Sequence, residues 1–328
     1  MNYRKLGSTD IRISEISLGT WQVGGGWGGN FDEKAAADIL HEAIDGGVNF
    51  IDTADVYDDG MSEAAVGRLL KERSEQIYVA SKCGRQINPH VSEGYTPEVL
   101  RKYVEASLKN IGIESLDLIQ LHCPPTAVYE RDDIFELFDR LKEEGKIKHL
   151  GVSVEKVEEA QLALNYPNVQ TVQIIFNMFR QKPAETFFGK ASAKDVGIIV
   201  RVPLASGLLS GKMSRDREFD PNDHRHFNRD GQAFDKGETF SGVDFEKGLD
   251  AVEELKGIFG EKASLAAWAL RWILMFEEVS TVIPGASRPS QIKANLLSSA
   301  LPAVTNEQLE AVKSVYEKYI KADVHHLW

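Results

Sequence analysis

The stretch LGTWQVGGGWGG, Leu18–Gly29, decides between two folds. It continues the first apolar β-rich run of the chain and is dense in glycine. A doubly wound dinucleotide-binding sheet needs G-x-G-x-x-G at the turn from its first strand into a helix, where the turn and helix N-terminus cradle a pyrophosphate. These glycines do not open a helix in that form, so the open sheet loses its fingerprint. The rest of the chain points to a closed barrel. Strands are predicted near 16–20, 48–52, 77–81, 116–121, 148–152, 171–175, 198–202 and 279–283. Helices are predicted near 32–46, 62–73, 97–110, 130–145, 155–165, 184–194, 263–276 and 288–298. Most of the strands are continuous apolar runs, as strands covered on both faces are. Thr96-Pro97-Glu98 supplies an N-cap, a proline at the first helical position and an early acid. Gly112, Gly145 and Gly197 stand where helices should stop. Eight β/α units predict a TIM (β/α)8 barrel, with residues 1–328 as one domain. The polar stretch from about Lys212 to Asp244 after strand seven is too long for a connector and reads as a lid or clamp; extra helices are predicted near 246–259 and 305–320.

Composition narrows the function classes. The net charge of −12 disfavours nucleic acid, whose phosphates need basic patches. No apolar run approaches the roughly 20 residues that span a membrane, and the N-terminus lacks a signal-peptide core. Two cysteines in 328 residues argue for a reducing compartment, so a soluble cytoplasmic protein is expected. The sequence assigns no oligomeric state.

Chemistry concentrates at the strand ends. In NFIDTADVYDDG (Asn49–Gly60), Asp52 ends the second strand and Tyr57 lies just beyond; Lys82 closes the third strand in VASKCG and His122 the fourth in LIQLHCP. Alone, each has an ordinary role: the aspartate as a turn acceptor, the lysine as a surface residue, the histidine as a bonded core residue. On three consecutive strands, at one face of a barrel, they form an acid–base set.

These motifs resemble the aldo-keto reductases over nearly the whole chain. IDTADVY, SK and LH, with LKNIGIESLDLIQLH (Leu108–His122) leading into the histidine, follow that family's order and strand placement. The resemblance implies NADPH-dependent reduction of a small-molecule aldehyde or ketone, with Asp52, Tyr57, Lys82 and His122 as the catalytic tetrad. A phenol near pKa 10 is a poor donor at neutral pH. Lys82 is expected to lower that value, Asp52 to keep Lys82 charged and oriented, and His122 to position the carbonyl oxygen.

The resemblance also implies a cofactor site for NADP(H). Ser153 in GVS and Gln173 in VQIIFN match positions that bond the nicotinamide amide, whereas Val154 replaces the family's usual asparagine; Asn177 is a candidate substitute. Gly19, Thr20, Trp21 and Asp52 come from the first two strand ends. PLASGLLSGK resembles a pyrophosphate-wrapping loop and supplies Pro203, Leu204, Gly207, Leu209, Gly211 and Lys212. VIPGASRPSQIKANLL resembles the adenosine-phosphate segment, with Gly285, Ser287, Arg288, Gln291 and Asn295. Ser287 and Arg288 fall at a strand-to-helix junction, where free N–H groups and a guanidinium suit a phosphate, and the resemblance implies that it is the 2′-phosphate. Ala294 stands where relatives are often acidic. Arg201 takes the place of an aromatic residue that stacks on the nicotinamide; it either stacks there itself or pairs with a loop carboxylate.

Trp21, Trp27 and Pro124, with Tyr57 and His122, are expected to wall an apolar substrate pocket, and Trp328 either covers it or packs outside the barrel. His224, His226, His325 and His326 lack the company of a metal site, and no metal is assigned. Strand alternation points Cys83 and Cys123 away from the barrel axis, as buried reduced thiols. A nucleotide-binding regulatory subunit of the same fold is the alternative function, and reduction of a generic aldehyde separates the two.

Overall fold

Alternation along the strands sorts the apolar residues into two cores. In the computed structural model, which describes residues 1–25 and 30–328, the chain opens with a hairpin of β1 (Tyr3–Lys5) and β2 (Arg12–Ser14). Eight parallel strands follow: β3 (Leu18–Gly19), β4 (Phe50–Asp52), β5 (Tyr78–Cys83), β6 (Leu116–His122), β7 (Ile147–Ser153), β8 (Val169–Ile175), β9 (Gly197–Arg201) and β10 (Val279–Val282). Each pairs with its neighbours in sequence order, and parallel bridges Ile16–Val282 and Gly19–Gly285 join the first strand to the last. The result is a (β/α)8 barrel, as the sequence predicts.

Ile51, Val79, Ile119, Leu121 and Val152 point outward into the large core beneath the helices. Phe50, Ala80, Leu118 and Ile199 point inward and meet Leu6, Ile11 and Ile13 of the hairpin. The hairpin therefore plugs the N-terminal end of the barrel. Its turn presses so closely that a Cβ on Gly7 would lie 2.2 Å from the Gly197 nitrogen. Arg4 anchors the hairpin by donating to the carbonyls of Leu274, Phe276 and Val279. The sequence reading missed this element, because a three-residue alternation is too short to stand out.

Helices form where the caps predict: Thr96 caps Pro97–Ile111, which ends on left-handed Gly112. Two expectations are corrected. The helix over 184–194 is two short ones, Lys182–Thr186 and Phe188–Ala193. Gly197 does not stop it; Asp195 takes the left-handed backbone there, and Gly197 opens β9 against the hairpin turn. The extra helices are Phe245–Phe259 and Asn306–Tyr319, packed on each other outside the barrel. Among the described residues no helix is long and apolar enough to cross a membrane.

Candidate active site

Above the apolar plug the barrel interior turns polar. Lys82 is buried, and its Nζ donates to Asp52 Oδ1 at 2.5 Å, the Thr53 carbonyl at 2.8 Å and Tyr57 Oη at 3.2 Å. The Tyr57 and His122 rings meet edge to face, with centroids 6.1 Å apart. The tertiary fold thus gathers Asp52, Tyr57, Lys82 and His122 at the C-terminal ends of β4, β5 and β6. Tyr57 is presented by a short turn, Tyr57–Gly60, in which Asp58 and Asp59 both adopt left-handed backbone. Asp tolerates that region because its short side chain bonds locally.

The electrostatics follow from burial. Burial raises the Tyr57 phenol above its usual range, and the adjacent Lys82 ammonium only partly offsets this. The expectation of a net lowering by Lys82 is corrected: desolvation of the phenolate outweighs the ammonium. For Lys82, burial works against the charge, but Asp52 and Tyr57 together hold its value up. His122 is held neutral, well below the ordinary histidine range, by burial and by the positive charges of Lys82, Arg85 and Arg201.

Gln120 was missed in the sequence. Asp52 Oδ2 accepts from Gln120 Nε2 at 2.9 Å and from Gln173 Nε2 at 2.8 Å, and Gln173 also donates to Gln120 Oε1 at 3.1 Å. The alternating positions of LIQLH carried the signal: Gln120 stands two residues before His122, on the inward face of β6.

A charged rim surrounds the mouth. Arg85 pairs with Glu155 at 3.0 Å and with Glu238 of the strand-seven insertion at 3.4 Å; Arg201 lies 3.5 Å from Glu238 and donates to the Val154 carbonyl at 2.9 Å. Arg201 thus takes the loop-carboxylate partner weighed for it. The rim is therefore charged. Trp27 lies outside the described residues. Cys83 packs outward, as alternation predicts, but Cys123 does not: its backbone is left-handed and its thiol faces Arg201 Nη2 at 3.5 Å and Ser153 Oγ at 3.6 Å. Among the described residues, Cys123, Glu155 and Glu238 gather potential metal-ligand atoms within 4.8 Å. Arg85 and Arg201 already provide that cluster with positive charge.

The insertion folds over this rim. His224 is buried, bonds Thr239 Oγ1 at 3.0 Å, and meets Trp21 edge to face at 5.3 Å. Trp328 joins the lid: its indole N–H donates to Asp235, its ring lies 4.2 Å from the Arg180 guanidinium, and Gly237 and Gly242 leave room for it. Asn177 does not replace the missing asparagine. Its amide donates to the Val202 carbonyl and Ser241 Oγ, while its oxygen accepts from the Phe179 N–H.

The segments expected to hold a coenzyme follow the C-terminal ends of β3, β9 and β10. Thr20 is buried and bonded to the Asp52 carbonyl, and a Cβ on Gly285 would come 3.2 Å from the Trp21 indole nitrogen. PLASGLLSGK forms a tight turn, with Ser206, Gly207 and Gly211 left-handed; Leu209 is buried in the outer core, whereas Lys212 is exposed. Arg288 is exposed at the N-cap of the helix Pro289–Leu296, and Gln291 Oε1 accepts from the Ser287 N–H and Oγ. Asn295 is buried on that helix, and Ala294 exposed. A closed turn and an exposed guanidinium beside a helix start fit a dinucleotide with a terminal phosphate.

The polar cluster at the strand C-termini lies where (β/α)8 barrels carry their active sites. The aldo/keto reductase family model matches residues 15–317, and the chain belongs to that family. It is 30% identical over 338 residues to the NADH-specific methylglyoxal reductase of Escherichia coli, covering 94% of this chain and 98% of that one. A probable voltage-gated potassium channel subunit beta of Arabidopsis thaliana is 28% identical, with 97% of each chain covered. The structure of a glycerol dehydrogenase from Gluconobacter oxydans superposes with a TM-score of 0.77 at 30% identity, over 97% of this chain and 96% of the other.

Proposed function

We propose that this protein reduces an aldehyde or ketone to the alcohol with NADP(H), and that Tyr57 is its proton donor. The observation that carries the proposal is the buried Lys82 ammonium held between Asp52 and Tyr57 Oη. A nicotinamide coenzyme supplies the hydride when bound. Burial keeps the phenol protonated until the carbonyl oxygen gains negative charge, and Lys82 stabilises the phenolate left behind. Asp52 holds the ammonium in place. Neutral His122 offers one N–H to the same oxygen, which orients it without adding charge.

Ser153, Gln173 and Arg201 stand around the nicotinamide end of the proposed cleft, the turn from Pro203 to Lys212 around the pyrophosphate, and Ser287, Arg288, Gln291 and Asn295 around the adenosine end. The preference for NADP(H) rests on Arg288. Because the related E. coli enzyme is NADH-specific, the coenzyme choice needs its own test. Arg288→Ala should weaken NADPH binding by about 1.5–3 kcal/mol and leave NADH nearly unchanged. Equal losses would remove Arg288 from phosphate recognition.

The function itself is tested by coenzyme absorbance across a panel of aldehydes and ketones, with Tyr57→Phe as control. Coenzyme binding without turnover would favour the second reading, a nucleotide-binding regulatory subunit, to which the channel-subunit relative lends support.

A further inference from the structure

We propose that Gln120 is a positioning residue for the proton-transfer site, acting through Asp52 in concert with Gln173. The inference rests on the carbonyl-reductase reading above. Lys82 occupies one oxygen of the Asp52 carboxylate and two carboxamides occupy the other, at 2.5, 2.9 and 2.8 Å. All four side chains are buried, so no solvent takes over if a donor is lost. A carboxylate beside an ammonium only accepts, which orients both amides with their nitrogens toward it. Gln120 Oε1 then receives the second N–H of Gln173, so the two amides brace each other.

The backbone is arranged for this. Gln120 is the register partner of Lys82 on one side and of Gly151 on the other. A Cβ at Gly151 would lie 3.2 Å from Gln120 Cγ and 2.1 Å from Thr171 Oγ1. Gly151 thus leaves the room in which Gln120 crosses to Asp52. Fixing both oxygens sets the carboxylate plane, and that plane sets where Lys82 Nζ sits relative to the phenol. Among the described residues Gln120 bonds to Asp52 and Gln173 and makes no hydrogen bond to Tyr57 or His122, so its effect passes through the aspartate.

The test is the pH profile of kcat for Gln120→Leu and Gln120→Glu, with NADPH affinity followed by fluorescence titration. In Gln120→Leu, kcat should fall about 10- to 100-fold, the range for a hydrogen bond to a charged group. Its acid limb should move to higher pH, because the carboxylate has lost a donor. NADPH affinity should stay within about twofold, since the residue lies beneath the proposed coenzyme cleft. Gln120→Glu should recover turnover at low pH, where the introduced carboxyl is protonated and donates as the amide did, and lose it as pH rises. A residue that merely fills space gives losses independent of pH. Wild-type kcat and profile in Gln120→Leu, or equal losses for both variants at every pH, overturns the proposal. Tyr57→Phe is measured alongside: turnover that survives it sinks the reading of the whole site, whereas Tyr57-dependent turnover that ignores Gln120 sinks this inference alone.

Discussion

The two ends of the barrel interior are built from the same strands and do opposite work. At the N-terminal end Phe50, Ala80, Leu118 and Ile199 close on Leu6, Ile11 and Ile13 in an apolar cluster. Two residues further along the same strands, Asp52, Lys82 and Gln120 form a buried network with Gln173 in which each group depends on the next. Apolar packing stabilises in proportion to area and tolerates small shifts. A buried polar network tolerates little, because one lost partner leaves an unsatisfied charge. The plug thus holds the strands at the separation the network needs.

Tyr57→Phe is the strongest way to break the comparison. It should lower kcat at least about 1000-fold, within the range of general acid catalysis, while coenzyme affinity and melting temperature barely move. Steady-state kinetics and calorimetry together check it. Ile13→Ala makes the converse change, at the plug. It should cost about 2–5 kcal/mol in denaturant unfolding and leave kcat of the folded protein within about twofold. A large kcat loss there would mean that the two ends are mechanically coupled.

Asp55 sharpens the contrast, because it is polar, buried and outside the network. Its carboxylate oxygens have no hydrogen-bond partner among the described residues, and burial beside Glu63 pushes it from 3.8 up to about 7. Below about pH 4 both folded and unfolded chains hold the proton, so folding carries no penalty. Between about 4 and 7 only the unfolded chain ionises, and stability falls as pH rises. Asp55→Asn should therefore flatten the decline by on the order of 1–3 kcal/mol, measured by urea unfolding at acid and alkaline pH. An unchanged pH slope would show that Asp55 finds a partner in solution.

The smallest effect is expected at the rim. If Arg201 faces the nicotinamide, its charge disfavours the cationic oxidised ring, but Glu238 at 3.5 Å partly neutralises it. Arg201→Tyr should then narrow the ratio of NADP⁺ to NADPH dissociation constants by about two- to fourfold. An unchanged ratio in titrations of both coenzyme forms would assign Arg201 to anchoring the lid alone.

What the sequence determined by itself is local or periodic. Apolar runs and caps placed the eight strands and most helices, and the strand-end motifs brought Asp52, Tyr57, Lys82 and His122 to one face, because strand order and direction follow from the repeat. Tertiary structure decided what depends on partners far apart in the chain. Gln120 and Gln173 converge on Asp52 across the barrel, from 68 and 121 residues away. Glu238 reaches Arg85 across 153 residues, and Asn177 is drawn off to the lid. Trp328 finds Asp235 across 93 residues, and the net rise of the Tyr57 phenol follows from enclosure by the fold. Propensity and periodicity act over a few residues, whereas desolvation and the sharing of buried donors and acceptors exist only once the chain has closed on itself.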